Sequence, residues 1–145
     1  MNTLPHSLLL ADDDPDDRLF FKDALQETGM PAMLDTVNDG VELMQYLNDS
    51  SDKLPDILFL DLNMPRKSGL ECLKEIKQNK SFEFLPIIIF STSCDKRITE
   101  DLYEYGAHFC IRKPGDFNKL QDIIKKAISL TKGMDRPAKE NFILA

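Results

Sequence analysis

The chain has 145 residues, which is the size of one globular domain, and it carries a formal net charge of −7. Hydrophobic residues make up 42% of it, which is enough apolar material for one core. An acidic chain repels phosphate backbones and anionic lipids, so nucleic-acid and membrane partners are not expected. The sequence does not open on a basic stretch followed by a long apolar run, and we expect a cytoplasmic location.

Five short apolar runs alternate with helical patterns along the chain. The runs cover residues 8–11, 33–37, 57–60, 87–90 and 108–111. Runs that are apolar throughout indicate strands buried on both faces, and strands that alternate with helices indicate a parallel sheet. We therefore predict a doubly wound α/β domain over residues 1–132. Residues 133–145 are expected to form a flexible C-terminal tail, although residues 142–144 are apolar and docking is the alternative.

Capping residues mark the ends of the predicted helices. Asp14 is the expected N-cap of the first helix, and Asp16 and Asp17 place carboxylates in its first turn, where they complement the helix dipole. Ser68 and Glu71 have the spacing of a capping box for the third helix. The first helix is expected to bury one apolar face, formed by Leu19, Phe20, Phe21, Ala24 and Leu25.

Polar residues follow four of the predicted strands. They are Asp12 and Asp13, then Asp61, then Ser91, and then Lys113. The carboxyl ends of parallel strands meet at one edge of the sheet, where open α/β sheets bind ligands. Three carboxylates held together repel one another unless a cation joins them, and an all-oxygen site favours Mg²⁺. A nearby lysine can neutralise a phosphate, and a carboxylate can act as a nucleophile toward phosphorus.

The segments at these strand ends resemble those of a known family. The segments LLLADD with DPDD, LFLDLNMPRKSG, IIIFSTS and CIRKPG have the order and spacing of the receiver domain of response regulators, over residues 8–132. The resemblance is to the chemotaxis-regulator-like type, and the DDDPDD start is similar to single-domain regulators, some of which serve phytochrome-type kinases. It implies a flavodoxin-like (βα)5 fold with five parallel strands in the order 2-1-3-4-5.

The resemblance also implies a metal site and a phosphorylation site. Asp61 would be the phosphoacceptor. Asp13 and Asp61 would bind Mg²⁺ directly, together with the backbone carbonyl of Asn63, and Asp12 would hold the metal through a water molecule. These four residues would therefore form one magnesium site.

Two further residues would contact the phosphoryl group. Ser91 would donate a hydrogen bond to it. Lys113 would pair first with Asp61 and then with the phosphate, and its peptide bond to Pro114 is expected to be cis.

As a member of this family, the protein would signal by protein contacts rather than act as an enzyme on other molecules. It would catalyse only its own phosphotransfer and slow dephosphorylation. The donor would be a phosphohistidine on a sensor histidine kinase or a histidine phosphotransfer protein. The downstream target is unidentified, the output surface would be the fourth helix, fifth strand and fifth helix, and a homodimer is left open.

The sequence departs from the family pattern at one switch position. Cys110 stands where many receivers carry an aromatic residue, and Phe109 beside it is expected to point to the opposite face of the sheet. The usual aromatic switch is therefore not expected, whereas phosphorylation is. Asn63 and Ser93 occupy positions that modulate dephosphorylation in the family. The cysteines are expected to be packing thiols, at Cys72, Cys94 and Cys110.

Other functions fit parts of the pattern. A hydrolase of the haloacid dehalogenase type also uses a strand-end Asp with Mg²⁺, but it needs a second Asp where this chain has Asn63, and a cap domain. A receiver fold that no longer takes phosphate and serves only as an interaction module is favoured by Cys110. A flavin site would want glycine-rich or hydroxyl-rich phosphate loops, which the acidic stretch at residues 12–17 does not offer.

Overall fold

The computed structural model describes residues 6–131 and 136–144. Over these residues the chain forms a parallel sheet flanked by helices on both faces. The strands are β1 His6–Ala11, β2 Ala32–Val37, β3 Ile57–Leu60, β4 Ile87–Ser91, β5 Phe109–Arg112 and β6 Ile143–Leu144. The α-helices are α1 Pro15–Glu27, α2 Gly40–Asp49, α3 Gly69–Gln78, α4 Lys96–Glu104 and α5 Phe117–Thr131, and a 3-10 helix spans Lys139–Asn141.

Side-chain alternation along the strands divides the core into two layers. Leu9 and Leu58 point to the face covered by α2 and α3, whereas Leu8 and Phe59 point to the face covered by α1 and α5. All four residues of β3 are buried, because the strand is covered on both faces. The predicted doubly wound α/β architecture is confirmed. Cys110 and Phe109 lie in opposite layers, as alternation predicts.

The helix starts follow the predicted capping chemistry. The Asp14 side chain accepts hydrogen bonds from the backbone N–H groups of Asp16 and Asp17 at the start of α1. Ser68 and Glu71 form the predicted capping box of α3. Fewer residues of α1 are buried than predicted. The buried residues are Phe21, Ala24 and Leu25, which lie at helical spacing, whereas Leu19 is 57% exposed.

The sheet has six strands in the order β2-β1-β3-β4-β5-β6, and not the five that we predicted. The predicted order of the first five is confirmed. The additional strand pairs with β5, with Cys110 opposite Ile143, and the backbone N–H of Cys110 donates to the carbonyl of Phe142 at 2.9 Å. Without β6, β5 would be an edge strand with unpaired backbone groups. A strand of two residues is too short to show a sequence period, so the pattern of apolar runs does not predict β6.

The C-terminal segment 136–144 packs against α4 and β5, which is the docked arrangement rather than the flexible tail that the sequence favoured. Phe142 is 2% exposed, and its ring meets that of Tyr103 edge-on at 5.4 Å between centroids. The Tyr103 hydroxyl donates to the carbonyl of Pro137 at 2.8 Å, and the Arg136 guanidinium lies 4.1 Å from the Tyr103 ring. The remaining tail positions, 133–135 and 145, lie outside the described residues.

His108 is a buried residue. It directly precedes β5, only 7% of it is accessible, and its Nδ1 has no hydrogen-bond partner. Burial, and then the positive charges of Lys77 and Arg136, lower the pKa of His108 to about 4. The imidazole is therefore neutral in the folded protein at neutral pH.

We predict that Phe142→Ala lowers the free energy of unfolding by about 3 kcal/mol, because it removes a buried ring from the contact between tail and domain. Phe84→Ala is the matched control, since Phe84 is 86% exposed, and it should change stability by less than about 0.5 kcal/mol. Urea denaturation of both variants measures the difference. Equal stabilities would show that the tail does not dock in solution.

We also predict that His108 makes the fold less stable in acid. Its pKa is lower in the folded chain, about 4, than the ordinary value of 6.5, so the unfolded chain binds the extra proton between these pH values. The neutral His108 therefore contributes its full share to the free energy of unfolding above pH 6.5. This contribution decreases by up to about 3 kcal/mol as the pH drops to 4. The loss should be reduced in His108→Gln and retained in His6→Gln when unfolding is measured across this range. Identical pH profiles for these two variants would contradict the prediction.

Candidate functional site

Three aspartates converge at the carboxyl edge of the sheet. Asp12 directly follows β1, Asp13 comes next, and Asp61 directly follows β3, the neighbour of β1. One carboxylate oxygen of each lies within 4.8 Å of those of the other two. Asp12 is fully buried and Asp61 nearly so, whereas Asp13 is exposed. The cluster is thus anchored in the fold on one side and open on the other.

Lys113 supplies the positive charge at this edge. It follows β5, and its Nζ lies 2.8 Å from Asp12 Oδ2, 2.9 Å from Asp17 Oδ2 and 3.2 Å from Asp61 Oδ2. Burial by itself would lower the pKa of Lys113, but the hydrogen bonds and charges of the three carboxylates outweigh it and raise the pKa above its ordinary value. The ammonium is therefore charged at physiological pH.

Asp61 is held in a less polar environment than an exposed carboxylate. Burial raises its pKa, the charge of Lys113 opposes that rise, and the charge of Asp12 adds to it. The backbone N–H of Asn63 donates to Asp61 Oδ1 at 3.4 Å. The other carboxylate oxygen, Oδ2, faces Lys113.

The residues present fit a hard divalent cation. One lysine faces the carboxylates of Asp12, Asp17 and Asp61, with Asp13 beside them, so negative charge remains in excess. Asp12 Oδ2 is buried and pairs with Lys113 at 2.8 Å. An all-oxygen cluster in which the carboxylates outnumber the ammonium group suits a cation such as Mg²⁺ or Mn²⁺.

Ser91 and Asn63 occupy the flanks of this cluster. Ser91 is the last residue of β4, fully buried, and its Oγ accepts a hydrogen bond from the backbone N–H of Ser93 at 3.4 Å. Its carbonyl accepts from the backbone N–H of Lys113 at 2.8 Å, which fixes β4 to the start of the Lys113 segment. Asn63 is exposed and two residues beyond Asp61.

The N-terminus of α3 packs directly against the backbone of Asp61. The Gly69 N–H donates to the Leu62 carbonyl at 2.9 Å, and a Cβ at Gly69 would collide with the Asp61 carbonyl oxygen. Arg66, in the loop between β3 and α3, adopts a φ of 68°, which is uncommon for a residue with a side chain. The position of Asp61 is thus set by close backbone packing as well as by its strand.

Asp17 is the site residue that sequence reasoning missed. Its place in the first turn of α1 was explained by the helix dipole, but its carboxylate also pairs with Lys113. The two residues are 96 positions apart, and the only available signal was the acidic stretch at residues 12–17. The predicted cis bond before Pro114 is not observed, since the described residues contain no cis peptide bond.

Comparison with known proteins decides the family. The family model described as the response regulator receiver domain matches residues 8–125. The chain belongs to this family. Phosphorylation on an aspartate is typical of receiver domains, which are signalling modules rather than classical enzymes, and relatives include single-domain response regulators of two-component systems.

The relatives include both long and short proteins. The chain is 31% identical to the DNA-binding transcriptional regulator NtrC of Escherichia coli over 128 residues, which is 88% of this chain and 26% of NtrC. It therefore spans about a quarter of the length of that relative. It is 28% identical to response regulator Rcp1 of Synechocystis sp. over 125 residues, which cover 83% of each chain.

Solved structures extend the same comparison. The structure of the phosphorylated cyanobacterial phytochrome response regulator RcpA matches with a TM-score of 0.80 and 28% identity, over 92% of this chain and 99% of RcpA. The Mn²⁺-bound form of Rcp1 matches with a TM-score of 0.77 and 26% identity, over 92% of this chain and all of the other. The resemblance to phytochrome-associated regulators is therefore confirmed. Within residues 6–131 and 136–144, no helix is long and apolar enough to cross a membrane.

We predict that Gly69→Ala displaces Asp61 and lowers stability by about 1–3 kcal/mol, because the added methyl group meets fixed backbone. Gly115→Ala is the matched control, since a Cβ there has no neighbour within 4 Å. Amide NMR shifts of Asp61 and Asn63, with thermal unfolding, measure both effects. If Gly69→Ala and Gly115→Ala had the same amide shifts and the same thermal stability, this packing would not position Asp61.

Proposed function

We propose that this chain is the receiver of a two-component phosphorelay and accepts a phosphoryl group on Asp61. The observation that carries the proposal is the placement of Asp61 at the end of a fully buried strand, 3.2 Å from Lys113 and in one cluster with Asp12 and Asp13. Phosphoryl transfer depends mainly on positioning and on neutralising charge, and this cluster offers both.

Mg²⁺ is the cofactor that we propose for the acidic cluster, and when bound it would neutralise charge on the phosphoryl oxygens. Asp13 and Asp61 would hold it together with the Asn63 carbonyl, and Asp12 would hold it through water. The excess of carboxylates over positive charge in this cluster supports this, as does the Mn²⁺-bound form of the relative Rcp1.

The chemical step uses the side chains of this chain in defined roles. An oxygen of Asp61 attacks the phosphorus of a phosphohistidine whose other ring nitrogen is protonated, a P–O bond forms, and the P–N bond breaks as the imidazole departs neutral with that proton. Lys113 then transfers its pairing from the Asp61 carboxylate to a phosphoryl oxygen. The Ser91 hydroxyl donates to another oxygen, and Asn63 and Ser93 modulate hydrolysis of the product.

The partners follow from this chemistry. The donor is a sensor histidine kinase or a histidine phosphotransfer protein in the cytoplasm, and the output is contact with a protein target. Residues 1–132 form the receiver unit, to which residues 133–145 are appended. The rival hydrolase reading would need an acid where Asn63 stands, and the rival interaction-module reading would make the acidic cluster dispensable.

The test is intact mass after incubation of the full chain with a small-molecule phosphodonor and Mg²⁺. We expect one added phosphoryl group in the wild-type protein and none in Asp61→Asn. Lys113→Ala should react more slowly by about 100-fold, as on removal of one positioned charge from a transition state. Asp16→Asn is the matched control, because this carboxylate is exposed in the first turn of α1 and should leave the rate unchanged.

Addition of a phosphoryl group to Asp61→Asn would show that another residue is the phosphoacceptor. Equal reaction with and without Mg²⁺ would reject the metal role. No added mass in a protein that binds Mg²⁺ would favour the interaction module, and steady release of inorganic phosphate from an external phosphomonoester would favour the hydrolase.

A further inference from the structure

Two free thiols meet inside the domain, away from the acidic cluster. Cys94 and Cys110 are 16 residues apart in the chain, and their Sγ atoms are 2.7 Å apart. Cys94 lies between β4 and α4, directly before Asp95, the N-cap of α4. Cys110 lies within β5. A covalent S–S bond is about 2.05 Å long, so the two sulfurs need only a small further approach to bond.

Only one of these thiols is reachable from outside. Cys110 is fully buried, whereas Cys94 is 8% exposed and lines a cavity of about 470 Å³ between α4 and the C-terminal segment. Lys96 and Lys139 also line this cavity. The hydrogen bond from the Cys110 thiol lowers the pKa of Cys94, and burial acts against it. A small oxidant can thus enter beside Cys94, which has Cys110 behind it as the second sulfur.

Cys72, the remaining cysteine, is in a different situation. It is fully buried, its thiol donates weakly to the Gly40 carbonyl at 3.5 Å, and burial raises its pKa to about 11. Such a thiol has the properties of an inert packing group. It therefore serves as an internal control for the reactivity of the pair.

We propose that Cys94 and Cys110 form a peroxide-sensitive dithiol that closes to an intramolecular disulfide. The Cys94 thiolate attacks one oxygen of hydrogen peroxide, the O–O bond breaks, and Cys94 becomes a sulfenic acid as the other oxygen leaves as water after taking a proton. The Cys110 thiol then attacks the Cys94 sulfur, and a second water departs. In total, two thiols lose two electrons and two protons, and one peroxide becomes two waters.

The disulfide would act on the phosphorylation site, and this consequence rests on the function proposed above. It would tie the segment that follows Ser91 to β5. The segment would then be held in its present conformation, in which the Ser91 hydroxyl accepts a hydrogen bond from the backbone N–H of Ser93. The segment after Ser91 would have to adjust when the Ser91 hydroxyl donates to the phosphoryl group, so a restrained segment opposes transfer. We expect the oxidised protein to be phosphorylated more slowly, by about fivefold or more, as is usual for coupled sites.

The experiment treats the full wild-type chain with hydrogen peroxide, alkylates the remaining thiols and maps peptides without reductant. We expect a Cys94–Cys110 linked peptide that disappears with dithiothreitol, and alkylated Cys72. Cys72→Ser should form the same link, and Cys94→Ser and Cys110→Ala should form no cross-link. Peptide mapping separates this change from oxidation of methionine.

Oxygen added to Cys94 with no linked peptide would overturn the proposal, as would links to Cys72 or between chains. The decisive result comes from the wild-type protein, so it stands even if Cys110→Ala does not fold. The disulfide link is measured without any phosphodonor. A failure of the protein to become phosphorylated would therefore not affect this part of the proposal. Equal phosphorylation rates of the reduced and cross-linked wild-type protein would overturn the coupling to Ser91 alone.

Discussion

The ion pairing of Lys113 is the interaction on which the candidate site depends. One ammonium group lies within 3.2 Å of carboxylate oxygens from Asp12 and Asp17, which are close in the chain, and from the distant Asp61. Two of those carboxylates are buried, and a buried carboxylate without a counter-charge is strongly destabilising. Lys113 therefore opposes the rise in the pKa of Asp61 that burial causes, and the carboxylates around it still outnumber its single positive charge.

The sheet determines which side chains this lysine can reach. Because β3, β4 and β5 are adjacent and parallel, Asp61, Ser91 and Lys113 follow neighbouring strands and lie at the same edge. The Lys113 N–H donates to the Ser91 carbonyl, so the two segments that would contact a phosphoryl group are joined by backbone. Gly69 completes the arrangement, since only a residue without a side chain allows α3 to approach the backbone of Asp61.

The region around β5 connects the site to the rest of the molecule. Cys110 contacts Cys94 through its side chain and Phe142 through its backbone N–H, so one residue touches both the segment after Ser91 and the C-terminal segment. Phe142 in turn packs on Tyr103 of α4. The surface of α4 and β5, proposed for output, is thus partly covered by the chain's own C-terminal residues. A partner that binds there would meet this segment as well as α4.

Local patterns in the amino-acid sequence were sufficient to predict the doubly wound fold and the polar residues that gather at the strand ends. Both depend on local patterns: apolar runs such as residues 57–60, caps such as Ser68, and polar residues that directly follow a strand. Four features became visible in the folded chain alone: the pairing of Asp17 with Lys113, the contact of Cys94 with Cys110, the burial of His108 and the docking of β6. Each of these joins segments that are distant in the chain, 96 positions apart in the first case. No periodicity encodes such a contact, because it depends on which surfaces the packed sheet and helices leave facing each other.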